Sequence, residues 1–245
     1  MKRLLLIIRC LIIWVVSGLH FFTVCTFLVI LGIFLDPRFN DWPQRVFCRN
    51  ILRLAGVGFE KTFAPRFNTS RTSIFICNHV NIFDAFVVYC AVPQFVRGLE
   101  LASHFKIPAY GWMMRRFGNI PVTKGGGASQ FKKLIEKVKF HLNNGTSIII
   151  FAEGSRTLDG HLRTFHKGAF VIAQKLEAPI VPMSICGSFQ FCRKGSWMLN
   201  PSKITVHIHD TIETKGLQDQ DIPTLIKLVH RIVSEPIEEN LKHSC

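Results

Sequence analysis

The sequence is short of acids. Asp and Glu number 16 against 30 Lys and Arg, which leaves a formal net charge of +14 and a pI of about 9.8. So basic a chain suits anionic surfaces or substrates. The usual nucleic-acid modules are missing, however: there is no zinc-finger spacing, no RNP-type aromatic motif and no basic region followed by heptads. Nucleic acid is therefore not the expected partner. The eight cysteines (Cys10, Cys25, Cys48, Cys77, Cys90, Cys186, Cys192, Cys245) include no CxxC pair, and several sit inside apolar runs. Neither a disulfide framework nor a metal site is expected from them, and free thiols suit a reducing, cytoplasm-facing domain. Internal repeats and low-complexity linkers are absent. From Cys10 to Leu35 there is no Lys, Arg, Asp or Glu.

That last absence predicts membrane attachment, because a helix of ~20 apolar residues spans the hydrocarbon core. A secretory signal would have a shorter apolar run of ~7–15 residues and a small-residue cleavage site; this run is longer and ends in "DPRFNDWP". Residues 1–40 are read as a membrane-anchoring segment and 41–245 as one catalytic-sized domain. Lys2, Arg3 and Arg9 flank the run on one side and Arg38, Arg45 and Arg49 on the other, so charge gives no clear orientation. Ser17-Gly18 and His20 offer a break. A hairpin within one leaflet, keeping both basic flanks cytoplasmic, is preferred over a single span.

Beyond Pro37, strand and helix patterns alternate. "TSIFIC" (72–77), "GNIPV" (118–122), "TSIIIFA" (146–152), "PIVPMSI" (179–185) and "KITVHIHD" (203–210) read as strands. Helices are expected from "QRVFCRNILRLAG", from "DAFVVYCAV" (84–92), after a Ser129 cap, from "KGAFVIAQKLE", and from about Ile222 to Leu241. This alternation argues for an α/β domain with a largely parallel, mixed sheet flanked by helices. Nine basic residues against Glu100 and Glu136 lie between Arg97 and Lys139, with Arg115, Arg116 and Lys124 the best placed of them for a phosphate or headgroup.

Ligands collect beyond the carboxyl ends of parallel strands, and three predicted strands end in chemistry. "SIFIC" runs into Asn78-His79 with Asp84 five residues on, "NIPV" into Thr123-Lys124, and "IIIFA" into "EGSR", Glu153 to Arg156. Each piece has an ordinary alternative. Asp84 can cap its own helix, His79 can be a turn histidine, and Glu153 and Arg156 can form a surface ion pair of little weight. Their order and common placement at strand ends point to one site.

"NHVNIFD", "GNIPVTK", "FAEGSRT" followed by "FHKGAF", and "IVPMSI" resemble the four ordered motif blocks of the glycerolipid acyltransferases, most closely those acting on 1-acyl-glycerol-3-phosphate. The resemblance covers roughly Thr72 to Ile185, and its first and third blocks carry the specificity. It implies transfer of a fatty acyl group from a coenzyme A or acyl-carrier-protein thioester to a lysophospholipid hydroxyl, giving phosphatidic acid. The other readings are an acyltransferase for another lysolipid, such as a lyso-ornithine lipid or a remodelling substrate, a non-catalytic lipid-binding protein, and a lipid hydrolase. No cofactor beyond the donor and no metal is implied. The partners are membrane lipids.

An alcohol attacks a thioester only as it loses its proton, and an imidazole suits that task. His79 is thus the expected general base, with Asp84 fixing its tautomer and stabilising the imidazolium. Cys77 is read as a buried thiol rather than a nucleophile, and there is no G-x-S-x-G elbow to supply a serine. The resemblance assigns Arg156 to the acceptor phosphate, Glu153 to orienting that arginine or the glycerol hydroxyl, and Gly154 to close backbone approach. Ser155 keeps a hydroxyl where the family commonly has threonine. Lys124 replaces the usual arginine, keeping charge but losing the planar fork, and Asn81 stands where serine is common.

Overall fold

A computed structural model describes residues 2–38 and 41–243. Cys245 lies outside the described residues. The chain runs α1 (Lys2–Phe34), α2 (Asp41–Leu54), β1 (Val57–Phe63), β2 (Ile74–Cys77), α3 (Asp84–Ala91), β3 (Val96–Leu101), α4 (Tyr110–Arg116), β4 (Ile120–Val122), α5 (Ala128–Asn143), β5 (Ser147–Phe151), α6 (Gly168–Lys175), β6 (Ile180–Cys186), α7 (Ser188–Phe191), β7 (Ser202–Ile208) and α8 (Ile222–Lys242).

The strands form one seven-stranded sheet in the order β1-β7-β6-β2-β5-β3-β4. β6, β2, β5, β3 and β4 run parallel, while β7 is antiparallel to β6 and carries β1 parallel beside it. The expected largely parallel, mixed α/β sheet is therefore present. β2 and β6 are buried along their whole length, which is why they read as continuous apolar runs.

Two apolar layers cover the sheet. Phe75, Cys77, Ile149, Val181 and Met183 face α1, α2 and α3. Ile74, Ile76, Ile148, Ile150 and Ile180 alternate onto the other face, against α5, α6 and α8. The seven described cysteines are free and buried.

Several expectations need correction. α1 is one unbroken helix of 33 residues through Ser17-Gly18 and His20, so the hairpin does not form; a single Gly costs a helix only ~1 kcal/mol, too little to break a long continuous helix. Ser129 is not the cap of α5, whose N-cap position is Gly127. β1, β3 and α4 were not foreseen. β1 is an edge strand with mostly exposed residues, and β3 carries Arg97 and Glu100 within it, so neither displays an apolar run. Arg97 is buried nonetheless, 3.2 Å from Asp41 and stacked on Phe95.

α1 is tied to the domain at both ends. Near its start, Arg9 donates to the Leu199 and Ala55 carbonyls, each at 2.9 Å, and Trp14 Nε1 to the Trp197 carbonyl at 2.7 Å. Near its finish, Arg116 donates to the Gly32 carbonyl at 2.5 Å and the Leu35 carbonyl at 3.2 Å, filling acceptors the helix end leaves open. Arg116 is therefore engaged structurally rather than free for a phosphate. Between these ties, only 17% of the most apolar stretch of Leu4–Phe34 is buried in the protein. The remainder exposes Leu11, Val15, Leu19 and Phe22, among others.

Candidate active site

β2 ends at Cys77, level with Phe151 of β5, and the chain then crosses the carboxyl edge of the sheet. Asn78 secures that crossing: its side-chain amide exchanges hydrogen bonds with the backbone of Ile185 in β6 at 2.9 and 2.8 Å. His79 follows, its ring stacked on Phe151 with centroids 4.2 Å apart.

His79 Nδ1 lies 2.9 Å from Asp84 Oδ2. The same oxygen accepts the N–H groups of Val80 at 2.6 Å and Asn81 at 2.9 Å, and Oδ1 accepts the Ser188 hydroxyl at 2.6 Å. Asp84 opens α3 but turns its carboxylate back along the chain towards His79, so it is not a forward cap. With its Nδ1 facing a carboxylate, the ring presents Nε2 away from Asp84. Asp84 is fully buried, whereas the His79 side chain is 23% exposed, as a proton acceptor meeting a substrate must be.

The second loop is bound to the first. The His79 N–H donates to Glu153 Oε1 at 2.6 Å, and the Thr157 N–H donates to the His79 carbonyl at 2.9 Å. Glu153 Oε2 accepts the Arg163 N–H at 2.9 Å. Both carboxylate oxygens are thus occupied by backbone, and burial pushes this carboxyl up to about 7, against the lowering effect of the two N–H donors. There is no Glu153–Arg156 ion pair among the described residues, and Glu153 does not orient that arginine. Its work is to fasten the two loops together.

Gly154 is required by shape: its φ is +63°, and a Cβ there would lie 2.8 Å from the His166 ring. The close approach is to His166 rather than to open space. The Ser155 hydroxyl accepts from Arg163. The Arg156 guanidinium has no hydrogen-bond or ion-pair partner among the described residues, while its carbonyl accepts from Lys194 Nζ at 3.0 Å. Thr157, the next residue, is bound to the His79 carbonyl, so Arg156 lies on the loop fastened to the one that carries the His–Asp pair. Lys124 is exposed on the turn after β4. It shares the carboxyl edge, but β4 stands three strand places from β2, roughly 14 Å away.

Sequence reasoning missed Arg163, which lies between "FAEGSRT" and "FHKGAF", and Ser188 and Lys194, which lie beyond the quoted blocks and are brought in only by folding. Asn81 is now explained: its Nδ2 donates to the Ser188 carbonyl and hydroxyl and to the Cys192 carbonyl, pinning α7 beneath Asp84. Cys77 is buried with its thiol raised well above the ordinary range by burial, as an inert thiol should be.

A family model described as Acyltransferase matches residues 59–186. The chain is 26% identical over 170 residues to a 1-acyl-sn-glycerol-3-phosphate acyltransferase of Cocos nucifera, covering 69% of this chain and 55% of that protein. It is 30% identical over 165 residues to a protein of the same description from Limnanthes alba, covering 67% and 59%. The chain thus spans little more than half the length of these plant relatives. In fold it is similar to the crystal structure of the 1-acyl-sn-glycerophosphate (LPA) acyltransferase PlsC from Thermotoga maritima, with a TM-score of 0.83, 22% identity, and coverage of 98% of this chain and 97% of that one.

Proposed function

The chain belongs to the acyltransferase family, and from that premise we propose that it transfers a fatty acyl group from a thioester to the free hydroxyl of 1-acyl-glycerol-3-phosphate, giving phosphatidic acid. The single observation that carries this reading is the partly exposed imidazole of His79 held by a buried carboxylate. A hydroxyl placed at Nε2 loses its proton to the ring as its oxygen attacks the thioester carbonyl. The tetrahedral intermediate then collapses, expelling the donor thiolate, which takes up the proton held by His79. Asp84 keeps Nδ1 protonated and stabilises the imidazolium between those two events. No acyl-enzyme and no cofactor beyond the donor thioester are needed.

Arg156, with Lys194 beside it, supplies fixed positive charge for the acceptor's phosphate, and a guanidinium can grip it at two oxygens. Lys124 adds to the positive field along the same edge rather than gripping the same phosphate. Glu153, Gly154 and Ser155 hold the loop that presents Arg156.

The same reading covers location. α1 is about 50 Å long and is fastened to one domain at both ends, so its two ends stay on one side of the bilayer. Its exposed apolar stripe then lies within a single leaflet, with Trp42, Trp112 and Trp197 exposed nearby as interface anchors. The site faces the cytoplasm, where the thioesters are, and amphipathic lipids reach it sideways from the leaflet.

The test is an acyl-transfer assay with acyl-CoA and acyl-carrier-protein donors and a panel of lysolipids, on wild type and His79→Ala. Phosphatidic acid formation that needs the acceptor phosphate and disappears in the variant is expected. Equal rates on acceptors without phosphate would overturn the assignment of the acceptor, and full activity in His79→Ala would overturn the mechanism.

A further inference from the structure

α2 runs antiparallel beside α1. Arg9 of α1 reaches the Ala55 carbonyl just past the end of α2, and His20 packs on Phe47, with ring centroids 5.1 Å apart. Between the two helices lies an open groove of about 370 Å³, lined by His20, Asn50, Arg53 and Leu54. That volume is within the range of small-ligand sites, and none of the four residues belongs to the acyl-transfer site.

The charge around the groove is one-sided. Asp41, the only acid of α2, is taken by Arg45 at 2.5 Å and Arg97 at 3.2 Å. The guanidinium groups of Arg49 and Arg53, one turn apart and both exposed, have no hydrogen-bond or ion-pair partner among the described residues. Lys61 on β1 is held below its ordinary range by burial and then by the charges of Arg45 and Arg49, so cations crowd one another here. His20 lies inside the uncharged run from Cys10 to Leu35, and an ionisable ring within a membrane segment marks a functional position. Its Nε2 is buried without a hydrogen-bond partner among the described residues, which leaves Nδ1 as the ring nitrogen able to meet a ligand.

Arginines facing open water need no partner, because water solvates them. These two border apolar surface instead. Leu19, exposed on the stripe of α1, directly precedes His20, and Leu54, also exposed, sits beside Arg53. A groove cationic on one side and apolar on the other, at the surface of a leaflet, matches a lipid headgroup and its first methylenes.

We propose that this groove binds the phosphate of one anionic phospholipid, with Arg53 gripping it, Asn50 and His20 donating to it and Arg49 adding charge. The inference rests on α1 lying in the leaflet and not on the acyl-transfer reading. The lining offers no carboxylate and no Trp, Tyr or Phe face to a choline, so a headgroup without its own cation is favoured. The lipid's chains lie along the apolar stripe of α1.

The experiment takes the full-length protein from nanodiscs of mixed phosphatidylglycerol and phosphatidylcholine and counts retained lipids by native mass spectrometry, for wild type, Arg53→Gln and His20→Gln. Wild type is expected to keep one phosphatidylglycerol, with about tenfold preference over phosphatidylcholine. Arg53→Gln, at an exposed position that leaves the fold intact, is expected to lose that preference, and His20→Gln to lower it about threefold. Inorganic phosphate in large excess is expected to leave the lipid bound, because the chains add apolar contact; displacement by phosphate alone assigns the groove to a free anion and overturns the lipid. No retained lipid, equal retention of the two lipids, or an Arg53→Gln variant that keeps the preference overturns the site. Failure of wild type to partition onto any vesicle overturns the leaflet reading beneath it.

Discussion

The His79 N–H donates to Glu153 Oε1 at 2.6 Å, so the histidine's backbone, rather than its ring, is what joins it to the second loop. With the Thr157 N–H bonded to the His79 carbonyl, the two loops behave as one piece, and Arg156 is carried within it. Burial pushes the Glu153 carboxyl from its ordinary 4.5 to about 7. The folded protein therefore holds that proton more tightly than the unfolded chain, and this group's contribution to stability falls as pH rises from about 4.5 to about 7. The change is about 3 kcal/mol. His209 acts oppositely: burial lowers it to about 4, so its contribution rises with pH between about 4 and 6.5. The informative quantity is thus the difference between wild type and Glu153→Gln. The variant melts lower throughout, because its amide must set an NH₂ against a backbone N–H. The gap is expected to narrow as pH is raised to about 7, and a constant gap in thermal melts contradicts the assignment.

Ser188 touches the carboxylate that holds the histidine, not the substrate. Ser188→Ala removes a hydrogen bond to a buried charge, of the kind worth about 1.5–3 kcal/mol. Steady-state kinetics are expected to show kcat about tenfold lower at unchanged KM. A change confined to KM would place the residue elsewhere.

His79→Ala and Asp84→Asn separate chemistry from architecture. The first removes a partly exposed ring and is expected to lower the rate ~10²–10⁴-fold with little change in melting temperature. The second sets an amide against the N–H groups of Val80 and Asn81, and is expected to lose activity together with ~1–3 kcal/mol of stability. Equal melting temperatures for both variants would contradict this division.

Arg156→Ala is expected to raise the acceptor KM about tenfold to a hundredfold, from the loss of charge-assisted hydrogen bonds. Arg156→Lys should recover part of that, restoring charge without the fork. Kinetics with and without the acceptor phosphate provide the check, since only the phosphorylated acceptor should respond.

Placing glutamate at Leu11, Val15 and Leu19 together puts charge along the exposed stripe of α1. Partitioning onto phospholipid vesicles is expected to fall more than tenfold, with the fold unchanged by circular dichroism. Retained vesicle binding would mean that another surface carries the attachment.

The sequence by itself determined the α/β class, most of the parallel strands and the long apolar helix α1, because buried strands and apolar helices declare themselves as local runs of apolar residues. It also brought His79, Asp84 and Arg156 to one sheet edge, since parallel strands all end on the same side. Only the tertiary structure decided where Asp84 points, that Glu153 binds backbone instead of arginine, and that α1 stays unbroken and tied at both ends. It alone brought Ser188 and Lys194 to the site. Hydrogen bonds between residues a hundred positions apart leave no periodicity in a sequence; they exist only once the sheet has fixed which strand ends are neighbours.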